Sequence, residues 1–356
     1  MARITLDDLA HSYLPHPRSE ADYALKRMTH VWQDGGAYAL LGPSGCGKTT
    51  LLNLISGLLR PSEGRILFDD RDVTAEDTTR RNIAQVFQFP VVYDTMTVRD
   101  NLAFPLRNRR MDGAHIARRV QETARMIGLE EILDRKARGL TADAKQKISL
   151  GRGMVREDVN AILFDEPLTV IDPHMKWELR TQLRRLHREL AHTMIYVTHD
   201  QTEALTFADR VAVMVEGRVV QMGTPEELFA TPAHVFVGYF IGSPGMNFLT
   251  ARIEGTEAIL GDGSRIPLGP GYPPGPCRIG IRPEHLSVAE TGAAALTVLR
   301  IEDLGRHHLL RGEVAGEPVN VQLSGGAVPA SPRLNFPPGR INVYVDDWRV
   351  APQEGG

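Results

Sequence analysis

The stretch GPSGCGKTT, residues 42–50, limits what this chain can fold into more than any other. It fits the spacing G-x-x-x-x-G-K-[ST], with an apolar run, AYALL, before it and a helical pattern, TTLLNLISGLL, after it. A strand that turns through a glycine loop into a helix commits the chain to an α/β layer. Glycines let backbone N–H groups curl around phosphate oxygens, and the helix N-terminus adds a favourable field. The whole loop is the expected nucleotide cradle: Gly42, Pro43, Ser44, Gly45, Cys46, Gly47, Lys48, Thr49 and Thr50. Lys48 reaches the outer phosphates and Thr49 offers a hydroxyl to Mg²⁺. Cys46 fills a variable slot as a small residue.

The same rhythm continues downstream. IAQVFQ (83–88), NAILFDE (160–166), TMIYVTH (193–199) and RVAVMVEGRVVQMG (210–223) read as strands, the last with a hairpin at Glu216-Gly217. Several end in polar tips, and strand ends form the ligand crevice of such sheets. Asp165 is placed to hold the metal, directly or through water, and Glu166 to take a proton from an attacking water. His199 can hydrogen-bond the γ-phosphate or that water, and Gln88 can reach Mg²⁺ or the water. Taken singly, a strand ending in Asp-Glu, a lone His and a strand-end Gln are all common structural features. Beside a phosphate-binding loop the functional reading is the stronger one.

Composition narrows the class further. With 356 residues the chain has room for two or three domains, and 42% hydrophobic with 24% charged residues is ordinary for a globular protein. A net charge of −3 argues against a nucleic-acid partner. Cys46 and Cys277 alone give neither a disulfide framework nor a zinc pattern, so a reducing compartment fits. MARITLDDLA alternates like a strand and carries two Asp, unlike a signal peptide, and no apolar run is long enough to cross a bilayer. Any membrane role must therefore come through a partner. Between Gln88 and Leu140 the pattern is largely helical. From about Gly242, Gly and Pro crowd LGPGYPPGPC (268–277), and short strand-like segments predict a separate all-β unit. Domains are expected at 1–240 and 241–356.

These motifs in this order resemble the ATPase subunit of an ABC transporter. GPSGCGKTT looks like the Walker A, VFQ the Q-loop, ILFDEP the Walker B, TVID the D-loop with Asp172, and YVTHD the H-loop. MTVRDNLAFPLRNR, QTEALTFADRVAVMVEGRVVQMGTPEELF, FIGSPGMNF, IGIRPEHL (279–286) and IEDLG (301–305) are similar to the carbohydrate-importer branch, including maltose-type and glycerol-3-phosphate-type ATPases. The resemblance implies an α/β P-loop NTPase fold: a RecA-like core with a helical subdomain at about 89–157, then an all-β OB/TOBE-like regulatory domain. It implies ATP and Mg²⁺ as cofactors and two transmembrane permease subunits as partners, with an external solute-binding protein acting indirectly. A place at the cytoplasmic face of the membrane follows from it. Tyr13 would be the aromatic that stacks on adenine, with Tyr23 its competitor. Phe89, Val91 and Tyr93 would touch a membrane subunit. The C-terminal domain would serve as scaffold and dimer contact or as a ligand-gated regulator.

One motif departs from the family. Where it places L-S-G-G-Q, this chain reads LTADA, so Thr141, Ala142, Asp143 and Ala144 stand for Ser-Gly-Gly-Gln. In an ABC dimer this helix start faces the γ-phosphate held by the other subunit. Thr141 can still donate, but Ala142 and Asp143 add side chains where backbone should touch the ligand. At roughly 5 Å and an effective dielectric of about 20, one unit-charge pair costs about 3 kcal/mol, less if the carboxylate swings away or protonates. The defect belongs to the partner's nucleotide, so a heterodimer with a second, intact ATPase is expected. Alternatives are a catalytically weak regulatory partner and a non-transport ABC ATPase. The latter would show a long coiled coil or two cassettes, and neither pattern occurs here.

Overall fold

The computed structural model describes residues 2–323, 325 and 328–352. It divides into two compact units, Met1–Pro225 and Glu226–Gly356.

In the first unit the strands are β1 (Ile4–His11), β2 (Leu25–Trp32), β3 (Ala37–Leu41), β4 (Glu63–Phe68) and β5 (Arg71–Asp72), followed by β6 (Ile83–Val86), β7 (Ala161–Asp165), β8 (Met194–Thr198), β9 (Arg210–Val215) and β10 (Arg218–Gly223). Its helices are α1 (Lys48–Ser56), α2 (Thr78–Arg81), α3 (Val98–Asn108), α4 (Gly113–Ile127), α5 (Ala142–Met154), α6 (Pro173–Leu190) and α7 (Gln201–Phe207). One sheet runs β10-β9-β3-β8-β7-β6, parallel except for the β9–β10 hairpin. Glu216 and Gly217 both take positive φ there, 47° and 77°, as a tight hairpin turn requires. β3, β7 and β8 are buried at every position, the mark of parallel strands covered on both faces. The second sheet, antiparallel β2-β1-β4-β5, extends beyond the single N-terminal strand read from the sequence.

α1 lies between the two sheets. Leu51, Leu52, Leu54 and Ile55 are all buried, in one cluster with Ile4, Leu6 and Trp32 of the antiparallel sheet and Leu40, Leu163 and Val197 of the parallel one. A helix gripped by apolar contacts from both sheets is held in place, and this anchors the loop before it. Its far end is closed by Arg81, fully buried, which donates to the carbonyls of Leu54 (2.5 Å), Ile55 (3.0 Å), Thr74 (2.9 Å) and Glu76 (3.1 Å). A cation on the last carbonyls suits the negative end of the helix.

The second unit holds helices α8 (Pro225–Ala230) and α9 (Val235–Phe240). Its strands are β11 (Asn247–Glu254), β12 (Glu257–Leu260), β13 (Arg265–Pro267), β14 (Gly275–Ile281), β15 (Ser287–Ala289) and β16 (Ala294–Ala295), then β17 (Thr297–Asp303), β18 (His308–Val314), β19 (Glu317–Leu323), β20 (Arg333–Asn335), β21 (Asn342–Val345) and β22 (Trp348–Val350). They pair as β13-β12-β11-β14-β21-β22, β15-β20-β16 and β17-β18-β19, around a core that includes Leu249, Ile279, Leu310 and Val343. The unit begins upstream of Gly242, where composition changes, and Arg282 supplies the reason. Buried at the end of β14, it donates to the carbonyls of Phe229 (2.8 and 3.0 Å), Gly238 (3.0 Å) and Ile241, so one guanidinium closes both helices. Burial pushes it down to about 10, still charged at neutral pH.

Candidate functional site

Parallel pairing sets the C-terminal ends of three adjacent strands side by side. Leu41 of β3 pairs with Thr198 of β8, and Asp165 of β7 with Val197 of β8; on the far side Val86 of β6 pairs with Phe164. The loop after β3, the Asp-Glu tip of β7, His199 after β8 and Gln88 after β6 therefore share one edge.

The loop's glycines answer to sterics. A Cβ on Gly42 would sit 2.2 Å from the Met214 carbonyl oxygen, and one on Gly47 2.6 Å from Leu25 Cδ2. Gly45 and Gly47 also take φ of 82° and 98°. Lys48, 5% exposed, folds back to donate to the carbonyls of Gly42 (2.8 Å) and Pro43 (2.9 Å). Cys46 is buried under the loop and burial pushes its thiol up, which suits a packing residue.

Two contacts join the strand tips. Thr49 donates to Asp165 Oδ1 at 3.0 Å, and His199 Nδ1 lies 3.0 Å from Glu166 Oε2. Burial raises the Asp165 pKa, offset in part by the Thr49 hydroxyl. A buried carboxylate held up in this way is short of positive charge. A hydroxyl and a carboxylate in contact are hard oxygen donors of the kind Mg²⁺ takes, and Gln88 follows β6 on the same edge of the sheet. Glu166 has φ of 45°, a left-handed conformation rare for a bulky residue, and its N–H is held by Val197 O at 3.0 Å. Thr169 donates to the same Glu166 oxygen at 3.3 Å.

Tyr13 shares a 3.0 Å hydrogen bond with Thr50 of α1 and is 63% exposed. Tyr23 is instead engaged by Glu63, itself paired with Arg27. Only Tyr13 thus stands at the loop. Asp172 caps α6 by accepting from His174 N at 2.9 Å. On the helical insert, Thr141 caps α5 by accepting from Ala144 N at 3.2 Å, so its oxygen is engaged within its own helix. Asp143 lies back along α5, 3.8 Å from Lys147. Phe89 is 69% exposed, and Val91 and Tyr93 less so. Tyr93 packs on Phe104 and under the Arg152 guanidinium (4.7 and 4.5 Å between centres). Gln146 was placed by sequence only as a position in register. It proves to be fully buried, donating to the carbonyls of Pro167 and Phe87.

A phosphate-binding loop with a carboxylate pair and a histidine at neighbouring strand ends defines a P-loop nucleoside triphosphatase. The ABC transporter family model matches residues 25–169, and the MalK OB fold domain model residues 242–286. The chain is 39% identical over 351 residues to the sn-glycerol-3-phosphate import ATP-binding protein of Jannaschia sp., spanning 98% of this chain and 99% of that one. It is 41% identical to the protein of the same name from Escherichia coli K12, over 84% of this chain and 86% of that one. Among solved structures, cbiO1 from Clostridium perfringens, part of an ABC transporter complex, superposes with a TM-score of 0.57 at 30% identity, covering 64% of this chain and 90% of that one. The chain belongs to the ABC transporter ATP-binding proteins of the import type, ATPases that power transport, and carries a C-terminal OB-type domain. Among the described residues no helix is long and apolar enough to cross a membrane.

Proposed function

We propose that this chain binds MgATP at the 42–50 loop and hydrolyses it to drive uptake of a small carbohydrate or polyol, glycerol or its phosphate ester being the nearest candidates. The observation that carries the reading is the pair of contacts, Thr49–Asp165 and Glu166–His199, on adjacent strand ends around Lys48. Lys48 leaves its two carbonyls for the outer phosphates. Glu166, steered by His199 and Thr169, takes the proton of the attacking water, and His199 holds the γ-phosphate. Thr49, Asp165 and Gln88 would hold Mg²⁺, which when bound neutralises charge on the phosphates. Tyr13 swings from Thr50 to stack on adenine.

The chain works at the cytoplasmic face of the membrane, beneath two permease subunits fed by an external solute-binding protein. Phe89 and Val91 meet a permease helix, with Tyr93 braced behind them by Arg152. Ala142 and Asp143 at the start of α5 favour pairing with a second, dissimilar ATPase. The Lys147 contact offsets part of the Asp143 charge, but both side chains keep their bulk, while the Thr141 hydroxyl accepts from Ala144 N and keeps its own proton to donate. Turnover of the purified chain tests the pairing: fast, cooperative hydrolysis by a self-paired dimer overturns it. Glu166→Gln separates enzyme from mere binder. The variant should trap ATP that wild type turns over, and identical trapping by both supports the regulatory alternative.

A further inference from the structure

α5 lies against β6 and the loop that follows it along one stripe. A Cβ on Gly153 would meet Val86 Cγ2 at 2.7 Å, Ser149 Oγ accepts from Val91 N at 3.4 Å, and Arg152 donates to Val91 O at 2.7 Å. Just past the helix, Arg156 donates to Ile83 O at 3.0 Å. Gln146 heads this stripe and does something its neighbours do not: its Nε2 donates to Phe87 O (3.4 Å) and also to Pro167 O (2.7 Å). Phe87 immediately precedes Gln88, and Pro167 immediately follows Glu166. Both partners are carbonyls, which only accept, so the amide orientation is fixed. Its Oε1 is buried with no hydrogen bond among the described residues.

We propose that Gln146 is a positioning residue for ATP hydrolysis: its amide ties the loop carrying Gln88 to the turn carrying Glu166, so that displacement of segment 87–93 resets the proton acceptor. This rests on the reading of Glu166 and Gln88 given above. Among the described residues the stripe offers no second tie to the Glu166 turn: Ser149 and Arg152 bond to Val91, and Arg156 to Ile83, Asn82 and Asp158. The turn that Gln146 steadies is already tight, with Thr169 N bonded to Glu166 O at 3.2 Å and Thr169 Oγ1 to the carboxylate. A shift of the Pro167 carbonyl must move Glu166, whose own backbone sits in a rarely populated conformation. A bonded network of this kind is a physical basis for coupling only if breaking it changes the response.

The test uses the full chain, with hydrolysis read in the assembly it forms with its membrane subunits. Gln146→Met keeps the volume and removes the donor. ATP affinity and KM should stay within about twofold while kcat falls at least about tenfold, near 1.4 kcal/mol in the barrier. Amide exchange should rise together in segments 86–93 and 166–170. Gln146→Glu guards against a folding defect. Its ionised carboxylate faces two carbonyls, so relative to wild type it should be weakest at pH 8 and recover towards pH 6, where the protonated acid donates again. Unchanged kcat, exchange rising in only one segment, or affinity lost in step with kcat overturns the proposal. A wild type that binds no MgATP overturns the nucleotide reading beneath it instead.

Discussion

Asp165 shows how one residue can be tuned against stability. Burial holds its carboxyl above the ordinary carboxylate range, so the folded chain binds the proton more tightly than the unfolded one. By linkage, the neutral acid favours the fold at low pH, and that contribution is lost as pH rises through the folded value. Asp165→Asn should therefore melt higher than wild type at pH 7.5 without ligand, with the gap closing as the pH is lowered. It should also weaken Mg²⁺-dependent nucleotide binding at least about tenfold, read by titration with and without Mg²⁺. A lower melting point at pH 7.5 would contradict the reading of Asp165 as a strained metal carboxylate. Tyr13 offers a second test. Base–aromatic stacking is worth about 1–3 kcal/mol, so Tyr13→Ala should raise the ATP Kd about 5- to 150-fold, while Tyr23→Phe, which loses only the Glu63 contact, should leave it unchanged. The strand-then-aromatic form of LDDLAHSY favours Tyr13 and leaves Tyr23 as its competitor. What separates them is which element each hydroxyl meets, and that depends on α1 packing against the antiparallel sheet.

At the scale of elements, the two buried arginines do similar work. Arg81 closes α1, and Arg282 closes α8 and α9, each through backbone carbonyls rather than a buried carboxylate. Arg282→Met would take the donor from the Phe229 and Ile241 carbonyls, at about 1–3 kcal/mol each, while the Gly238 carbonyl keeps Met246 N–H at 2.9 Å. We expect a loss of at least about 2 kcal/mol, seen in urea melts, together with new protease cleavage between residues 226 and 246 and unchanged ATP affinity. The sequence made the elements of the nucleotide edge easy to read. Apolar runs of four to six residues with polar tips marked β3, β6, β7, β8 and β9, and the glycine loop fixed which end mattered. It was poor at β4 and β5, whose EGRILF and RD carry no clear alternation and become strands only by pairing with β1. It also could not assign Gln146, Arg81 or Arg282, since a polar residue in a helical or strand pattern gives no sign of the distant carbonyls it will meet.

Across the whole molecule, the charge that sets acid tolerance is hidden in a balanced total. The net charge of −3 gives no hint of it. In the first unit His11, His30, His187 and His192 are all held below 6.5, chiefly by burial. His187 is partly compensated by the Gly35 carbonyl at 3.0 Å, whereas both ring nitrogens of His192 are buried without a hydrogen bond among the described residues. Each of these rings is kept neutral by the fold, and the unfolded chain takes up its proton first. Their stabilising contribution is therefore complete above about pH 6.5 and declines as pH falls below it, until the folded rings also protonate. Asp165 runs the other way, its window opening upward from the ordinary carboxylate value of 3.8, but it is one group against four. Between pH 7 and 5.5 the histidines should thus dominate, and the melting transition of the first unit should move down steadily as acid is added. His192 tests the cause most directly, because it has least to lose. His192→Phe replaces an unpaired imidazole with an apolar ring of similar shape, so it should flatten the fall between pH 7 and 5.5 while keeping ATP affinity. A slope as steep as that of wild type would mean that other groups carry the acid response.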